Sequence, residues 1–171
     1  QTFFLKDELH LGPAELSALT GLFTLPWTIK PIYGFLSDGV PLFGYRRRSY
    51  LILCGFLGAA CYAGLGSNFL GLFDSTDSPI SLLQATIASF VVSSGCIAFS
   101  DVVADGIVVQ RTRDSNDPKV AGGLQSLCWG SASIGGLISA YFSGSLLEVM
   151  GPKEVFTITA ALPLLVASIA F

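Results

Sequence analysis

Two carboxylates four residues apart, Asp101 and Asp105, sit in "FSDVVADGIVVQRTR", the end of an apolar stretch that begins near Pro79. On a helix this spacing puts both acids on one face, one turn apart. Counted back from Arg111 at about 1.5 Å per residue, Asp105 lies about 9 Å and Asp101 about 15 Å into the span. Charges at such depth cost about 3 kcal/mol or more each, so they face a cavity, pair with a cation or carry protons. Asp101 is therefore the stronger candidate for a substrate or proton pathway. Asp105 is the lesser candidate for the same pathway; the plainer alternative sets it near the rim, paired with an arginine of the loop at 46–48.

Lys30 is the cation placed to answer them. It precedes Asp38 by eight residues, which sets it about 12 Å inside its own span. Pro26 and Pro31 bracket it in "LPWTIKPIYG" and free the carbonyls of Leu22 and Trp27. A helix broken in this way is tolerated at membrane depth where it lines protein or a cavity. There Lys30 neutralises an aspartate, receives an anionic substrate, or, as the plain alternative, snorkels about 12 Å to the interface.

Trp27 shares a face with Lys30, and Trp129 shares one with Gln125. Trp129 lies about 15 Å beyond Lys119, deeper than an interfacial belt. A flat heteroaromatic substrate would stack on these rings while Gln125 offers a donor and an acceptor; ordinary packing is the simpler account of each ring. Toward one membrane face, "GFLSDGVPLFGYRRR" sets Gly34, Asp38 and then Arg46, Arg47 and Arg48 in a short connection. Glycine permits close helix contact and the acid accepts from an arginine, so the loop reads as a gating latch, or as a plain topogenic charge cluster.

The elements that must hold these residues are helices long enough to cross about 30 Å of hydrocarbon. Five spans are expected, at 14–36, 49–69, 80–109, 120–147 and 154–171, with "QTFF" as the tail of an earlier one. Helix-start signals precede them at Pro13 with Glu15, Ser78-Pro79, Asp117-Pro118 and Gly151-Pro152 with Glu154. Arg46, Arg47, Arg48, Arg111, Arg113 and Lys119 fall on one side, against Lys6 and Lys153 on the other. That bias makes the loops at 37–48 and 110–119 cytoplasmic, or on the equivalent side of an organelle. In the fourth span, small residues recur every fourth position, Ser131, Gly135, Ser139 and Ser143 beside Ala132, Gly136, Ala140 and Gly144, a ridge suited to a helix–helix seam.

Composition agrees with a multi-pass integral membrane protein: of 171 residues 51% are hydrophobic and 12% charged, and mean hydropathy is +0.66. Net charge is −3, with no basic tract, so nucleic acid has no footprint. There is no C-x-x-C or His-rich cluster, and neither metal nor cofactor is expected. Cys54, Cys61, Cys96 and Cys128 all fall in apolar stretches, where thiols behave as small hydrophobes. The chain starts on Gln1 and stops inside an apolar run, which predicts a fragment of a longer chain.

A glycine, small or apolar residues, an aspartate and then basic residues between two spans resembles the signature loop of the major facilitator superfamily. Here the loop is longer between Asp38 and Arg46, and Gly39 stands where a basic residue commonly follows the acid. A finer resemblance is to the folate-biopterin transporter family. It is carried by "FFLKDELHLGPAELSALTGLFTLPWTIKPIYGFLSDGVPLFGYRRRSYLIL", "AFSDVVADGIVVQRTR" and "AGGLQSLCWGSASIGGLISAYFSGSLLE".

That resemblance implies an all-α fold of twelve spans in two six-helix halves. This chain would supply most of the first half and lack the C-terminal half. It also implies a folate or pterin substrate, with protons as coupling ion. Within the family the recurrent charged and polar positions correspond here to Lys30, Asp38, Arg46, Arg47, Arg48, Asp101, Asp105, Gln125 and Trp129. Rival readings are a carrier of another organic anion and an inactive truncated membrane product or scaffold. An intramembrane aspartyl protease fits poorly, because its G-x-G-D stretch is absent and both acids lie on one helix. The residues favour neither the plasma membrane nor the chloroplast envelope.

Overall fold

The computed structural model describes residues 5–6, 12–66, 79–115 and 118–171; at 79–82, 118, 147–148 and 152 it describes the backbone alone. The described residues are mostly helical, and their one β-like feature is the isolated bridge between Leu42 and Tyr45. The helices are α1 (Pro13–Thr28), α2 (Lys30–Gly39), α3 (Arg48–Gly66), α4 (Pro79–Ser115), α5 (Pro118–Val149), α6 (Pro152–Thr159) and α7 (Ala161–Ala170). Three segments are long and apolar enough to cross a membrane on their own: Arg48–Gly66, Leu83–Ser115 and Lys153–Ala170. Exposed Phe35, Leu137 and Ile169, each more than two-thirds accessible, belong with a surface that faces lipid rather than water.

The stretch expected at 14–36 is divided. At Ile29 the backbone leaves helical geometry (φ −93°, ψ 13°), and a tight Ile32 N–H to Ile29 C=O bond of 3.0 Å restarts the chain as α2. Pro31 accounts for the break: it has no N–H for the Trp27 carbonyl, and it stands in the first turn of the restarted helix, where a missing N–H leaves no bond unmade. Pro26, by contrast, is accommodated within α1 and buried. The stretch at 120–147 lies within α5, one 32-residue helix. The last stretch is interrupted at Ala160, between α6 and α7.

One expected boundary is corrected. Helix α4 runs to Ser115, so 110–115 is helical rather than loop, and Arg111 and Arg113 ride on its final turns. Apolar periodicity ends near Val109, but nothing there breaks a helix, and the chain reaches Pro118 before it meets a proline. The "QTFF" tail, the expected end at 69 and Asp117 lie outside the described residues.

Helix α4 is the hub, packed by α1, α2, α3 and α5, while α3 in turn carries α6 and α7; α6 also reaches α4, where the Phe90 and Phe156 rings lie 5.6 Å apart. One cluster gathers Phe23, Tyr62, Phe90 and Phe156, with the Phe23 and Phe90 rings 5.4 Å apart. A second gathers Tyr50, Cys54, Cys96, Phe99 and Val103, where Phe99 stacks on Tyr50 at 5.1 Å. Two glycines on α3 allow α6 and α7 to approach. A Cβ at Gly55 would come within 2.7 Å of the Ala167 Cβ and the Pro163 carbonyl; one at Gly66 would come within 2.7 Å of the Lys153 carbonyl.

The α2–α3 connection is a tight turn. Leu42 and Tyr45 exchange two backbone bonds of 3.0 Å, with Phe43 (φ 52°) and Gly44 (φ 82°) both left-handed between them. Ser49 donates to the Leu42 carbonyl at 2.7 Å and Tyr50 to the Val40 carbonyl at 2.9 Å, which pins the turn to the start of α3.

Candidate functional site

The helix break at Ile29 turns Lys30 toward α4. Its ammonium donates to an Asp101 carboxylate oxygen at 2.6 Å, and the same nitrogen lies 4.4 Å from the centre of the Trp27 ring. Trp27 donates in turn from Nε1 to the Ser94 hydroxyl at 3.2 Å, and Ser94 donates to the Phe23 carbonyl at 2.6 Å. The lysine is thus held by a carboxylate on one side and an aromatic face on the other. The pair remains partly accessible, with side chains 33% and 46% exposed, so an incoming group can reach it. A fixed cation within reach of an anion, beside a flat ring, can exchange its aspartate for a substrate carboxylate.

About two helical turns further along α4 a second clamp closes on Arg47. Its guanidinium donates to Asp38 at 2.8 Å, to the Gly106 carbonyl at 2.7 Å and to the Gln110 side chain at 3.0 Å. Gly106 eases this reach, since a Cβ there would stand 3.1 Å from the Arg47 Cζ and press the guanidinium aside by a few tenths of an ångström. The hydrogen bond from Arg47, reinforced by its charge and that of Arg46, holds the Asp38 carboxyl below the ordinary carboxylate range. The pairing forms across the longer loop between Asp38 and Arg46 because the pinned turn folds the extra residues back.

The rim pairing expected for Asp105 is not formed. Gly106 and Gln110 lie four apart and share the face that Arg47 reaches, while Asp105 is a third of a turn away. Asp105 is exposed and, among the described residues, makes no ion pair. Gly34 faces Val102 of α4 at an ordinary 3.7 Å for an added Cβ, so no close approach depends on it. Arg46 is exposed; Arg48 donates to the Ala170 carbonyl and lies 5.5 Å over the Tyr45 ring.

Gln125 and Trp129 stand apart from this constellation. Both are exposed on α5, Trp129 at 68%, and among the described residues neither bonds or stacks with Lys30 or Asp101. Sequence reasoning brought out Lys30, Asp101, Asp38 and the arginine triplet, but not Ser94, Gly106 or Gln110. Gln110 was detectable as a polar residue four before Asp114 on the arginine-bearing turns. Gly106 contributes a carbonyl, which no residue type announces.

The sequence profile of the BT1 family matches residues 1–171. A folate-biopterin transporter of Synechocystis sp. is 45% identical over 170 residues, which is 99% of this chain and 32% of that protein. Probable folate-biopterin transporter 2 of Arabidopsis thaliana is 36% identical, over 90% of this chain and 28% of its own length. Folate transporter 1 of Plasmodium falciparum is 34% identical, over 99% and 31%. The chain therefore spans about a third of the length of the curated relatives it matches, and each of these carries a transporter's name rather than an enzyme's. No solved structure matches it. With several apolar helices and a family profile that fits from first residue to last, this multi-pass integral membrane protein belongs to the BT1 family.

Proposed function

We propose that the chain is part of a secondary active transporter of folates or pterins, coupled to protons and working by alternating access. The observation that carries this reading is the Lys30–Asp101 pair, 2.6 Å apart at a helix break within an apolar segment. An ion pair partly open to a visitor, backed by the Trp27 ring, offers a carboxylate-bearing heteroaromatic both a charge partner and a stacking face. Substrate carboxylate and Asp101 compete for one ammonium, while a proton and that ammonium compete for one carboxylate. Coupling follows, because protonating Asp101 releases Lys30 for substrate. Names of the relatives support the substrate class.

In this scheme the Asp38–Arg47 clamp is the cytoplasmic-side gate, and the 2.8 Å ion pair is its closed form. Gln125, Trp129 and Asp105 meet substrate or protons in another conformation or alongside the remainder of the transporter. That remainder, a C-terminal half, packs on the α5 ridge, since Gly135, Gly136 and Gly144 have nothing within 4 Å of an added Cβ.

Asp101→Asn in the full-length protein tests the scheme. Uptake of labelled folate by membrane vesicles is expected to lose its dependence on an imposed pH gradient at normal expression; an unchanged dependence would falsify the proton role. Competition by folate and biopterin, but not by unrelated organic anions, is expected to reduce wild-type uptake. Equal competition by all of them would instead favour a general anion carrier.

A further inference from the structure

A second open cleft, separate from the Lys30–Asp101 pair, lies at the arginine-bearing end between the α2–α3 turn, the last turns of α4 and the end of α7. Its volume is about 1230 Å³. Four guanidiniums, from Arg46, Arg47, Arg48 and Arg113, face it, against the carboxylates of Asp38 and Asp114. Arg47 is already committed to Asp38. Arg46, Arg48 and Arg113 have no carboxylate partner among the described residues, so the cleft keeps an excess of positive charge.

The other wall is aliphatic, formed by Leu51 of α3, Ile107 and Val109 of α4, and Val166 and Ile169 of α7. Leu51 and Val166 also line the largely apolar cavity that runs between α3, α4 and α7 toward Ser93, with Asp101 on its wall. Cationic forks at one end and an apolar trough leading into the span at the other match one class of ligand. The headgroup must be anionic, because guanidiniums bind phosphate oxygens in pairs. The tail must be hydrocarbon, because the trough would otherwise hold water against aliphatic side chains.

From this arrangement we propose that the cleft binds an anionic phospholipid, its phosphate between Arg46 and Arg113 and an acyl chain along Leu51, Val109 and Val166. The leaflet agrees with the ligand: the arginine bias sets this end on the cytoplasmic side, where acidic lipids concentrate. Basic recesses between spanning helices are a general habit of headgroup recognition. The proposal does not depend on which substrate is carried, so it stands or falls apart from the transport reading.

The test is native mass spectrometry of the full-length protein released from nanodiscs that mix phosphatidylglycerol with phosphatidylcholine of the same acyl chains. Wild type is expected to retain phosphatidylglycerol in preference. The Arg46→Gln/Arg113→Gln double variant is expected to retain at least about tenfold less. Arg111→Gln removes a charge from the same helix end outside the cleft lining and is expected to behave as wild type. Equal retention of both lipids by wild type overturns the proposal, as does equal loss in the double and Arg111 variants, which means bulk charge. Binding of inorganic phosphate or glycerol phosphate without lipid retention also overturns it in favour of a soluble anion.

Should the double variant fail to fold, wild type alone decides. A phosphatidylglycerol with a diazirine acyl chain is expected to cross-link peptides containing Leu51, Val109 or Val166. Cross-links elsewhere only, or the same pattern from the phosphatidylcholine probe, contradict the site.

Discussion

Lys30 and Asp101 hold each other in place at 2.6 Å, and the Trp27 ring backs the lysine alone. Removing one partner leaves the other uncompensated, which costs more than removing both. If Lys30 receives substrate, Lys30→Ala is expected to weaken uptake of a glutamylated folate about tenfold or more and that of an uncharged pterin much less. Equal losses measured side by side would place Lys30 in the scaffold rather than in recognition. Asp38 carries a pH prediction of definite sign. Its carboxyl titrates below the usual value of about 3.9, so the clamp's contribution is complete above that pH and disappears as pH falls through the lowered value. A spin label beside Gln110 is expected to report an unchanged α2–α4 contact from about pH 8 to pH 5 and loosening only in stronger acid. In Asp38→Asn the acid-side transition is expected to vanish. Loosening centred near neutrality would point to another group.

At the scale of elements, the depth of Lys30 against Asp101 was legible from counting, because helical rise is constant and both residues have clear landmarks in Asp38 and Arg111. The break near Lys30 was legible from Pro31. What counting missed depends on facing rather than spacing. The regular ridge on α5 promised a seam, yet in this chain the close approach belongs to α3, whose Gly55 and Gly66 are irregularly placed and matter through what stands opposite. Gly55→Val is therefore expected to displace α7, destabilising the segment by about 1–3 kcal/mol in a reversible unfolding assay. Gly64 of the same helix has open space around it, and Gly64→Ala is expected to be neutral within the error of the assay. Two equal effects would mean that the α3–α7 contact is looser than described.

At the scale of the molecule, α5 is exposed along most of its length, whereas α3 and α4 hold most of the buried residues. Sequence gave no warning of that contrast, since both kinds of helix are apolar and glycine-bearing. Lipid covers apolar surface at no cost, so hydrophobicity alone cannot say which helix is central. If a second half packs on the α5 ridge, a nitroxide at Ser139 is expected to be open to lipid-dissolved oxygen in the 171-residue segment and shielded in the full-length protein. Matching accessibility in both would locate the second half elsewhere.

The ten residues of α2 are fastened to α4 at both ends, by Lys30–Asp101 at one and by Asp38–Arg47 with its carbonyl contact at the other. Such a helix behaves as a logical conjunction. Freeing one end lets it pivot but not depart, and if the two fastenings open independently, the chance of complete release is the product of two small populations. Disturbing only one fastening therefore leaves α2 attached to α4.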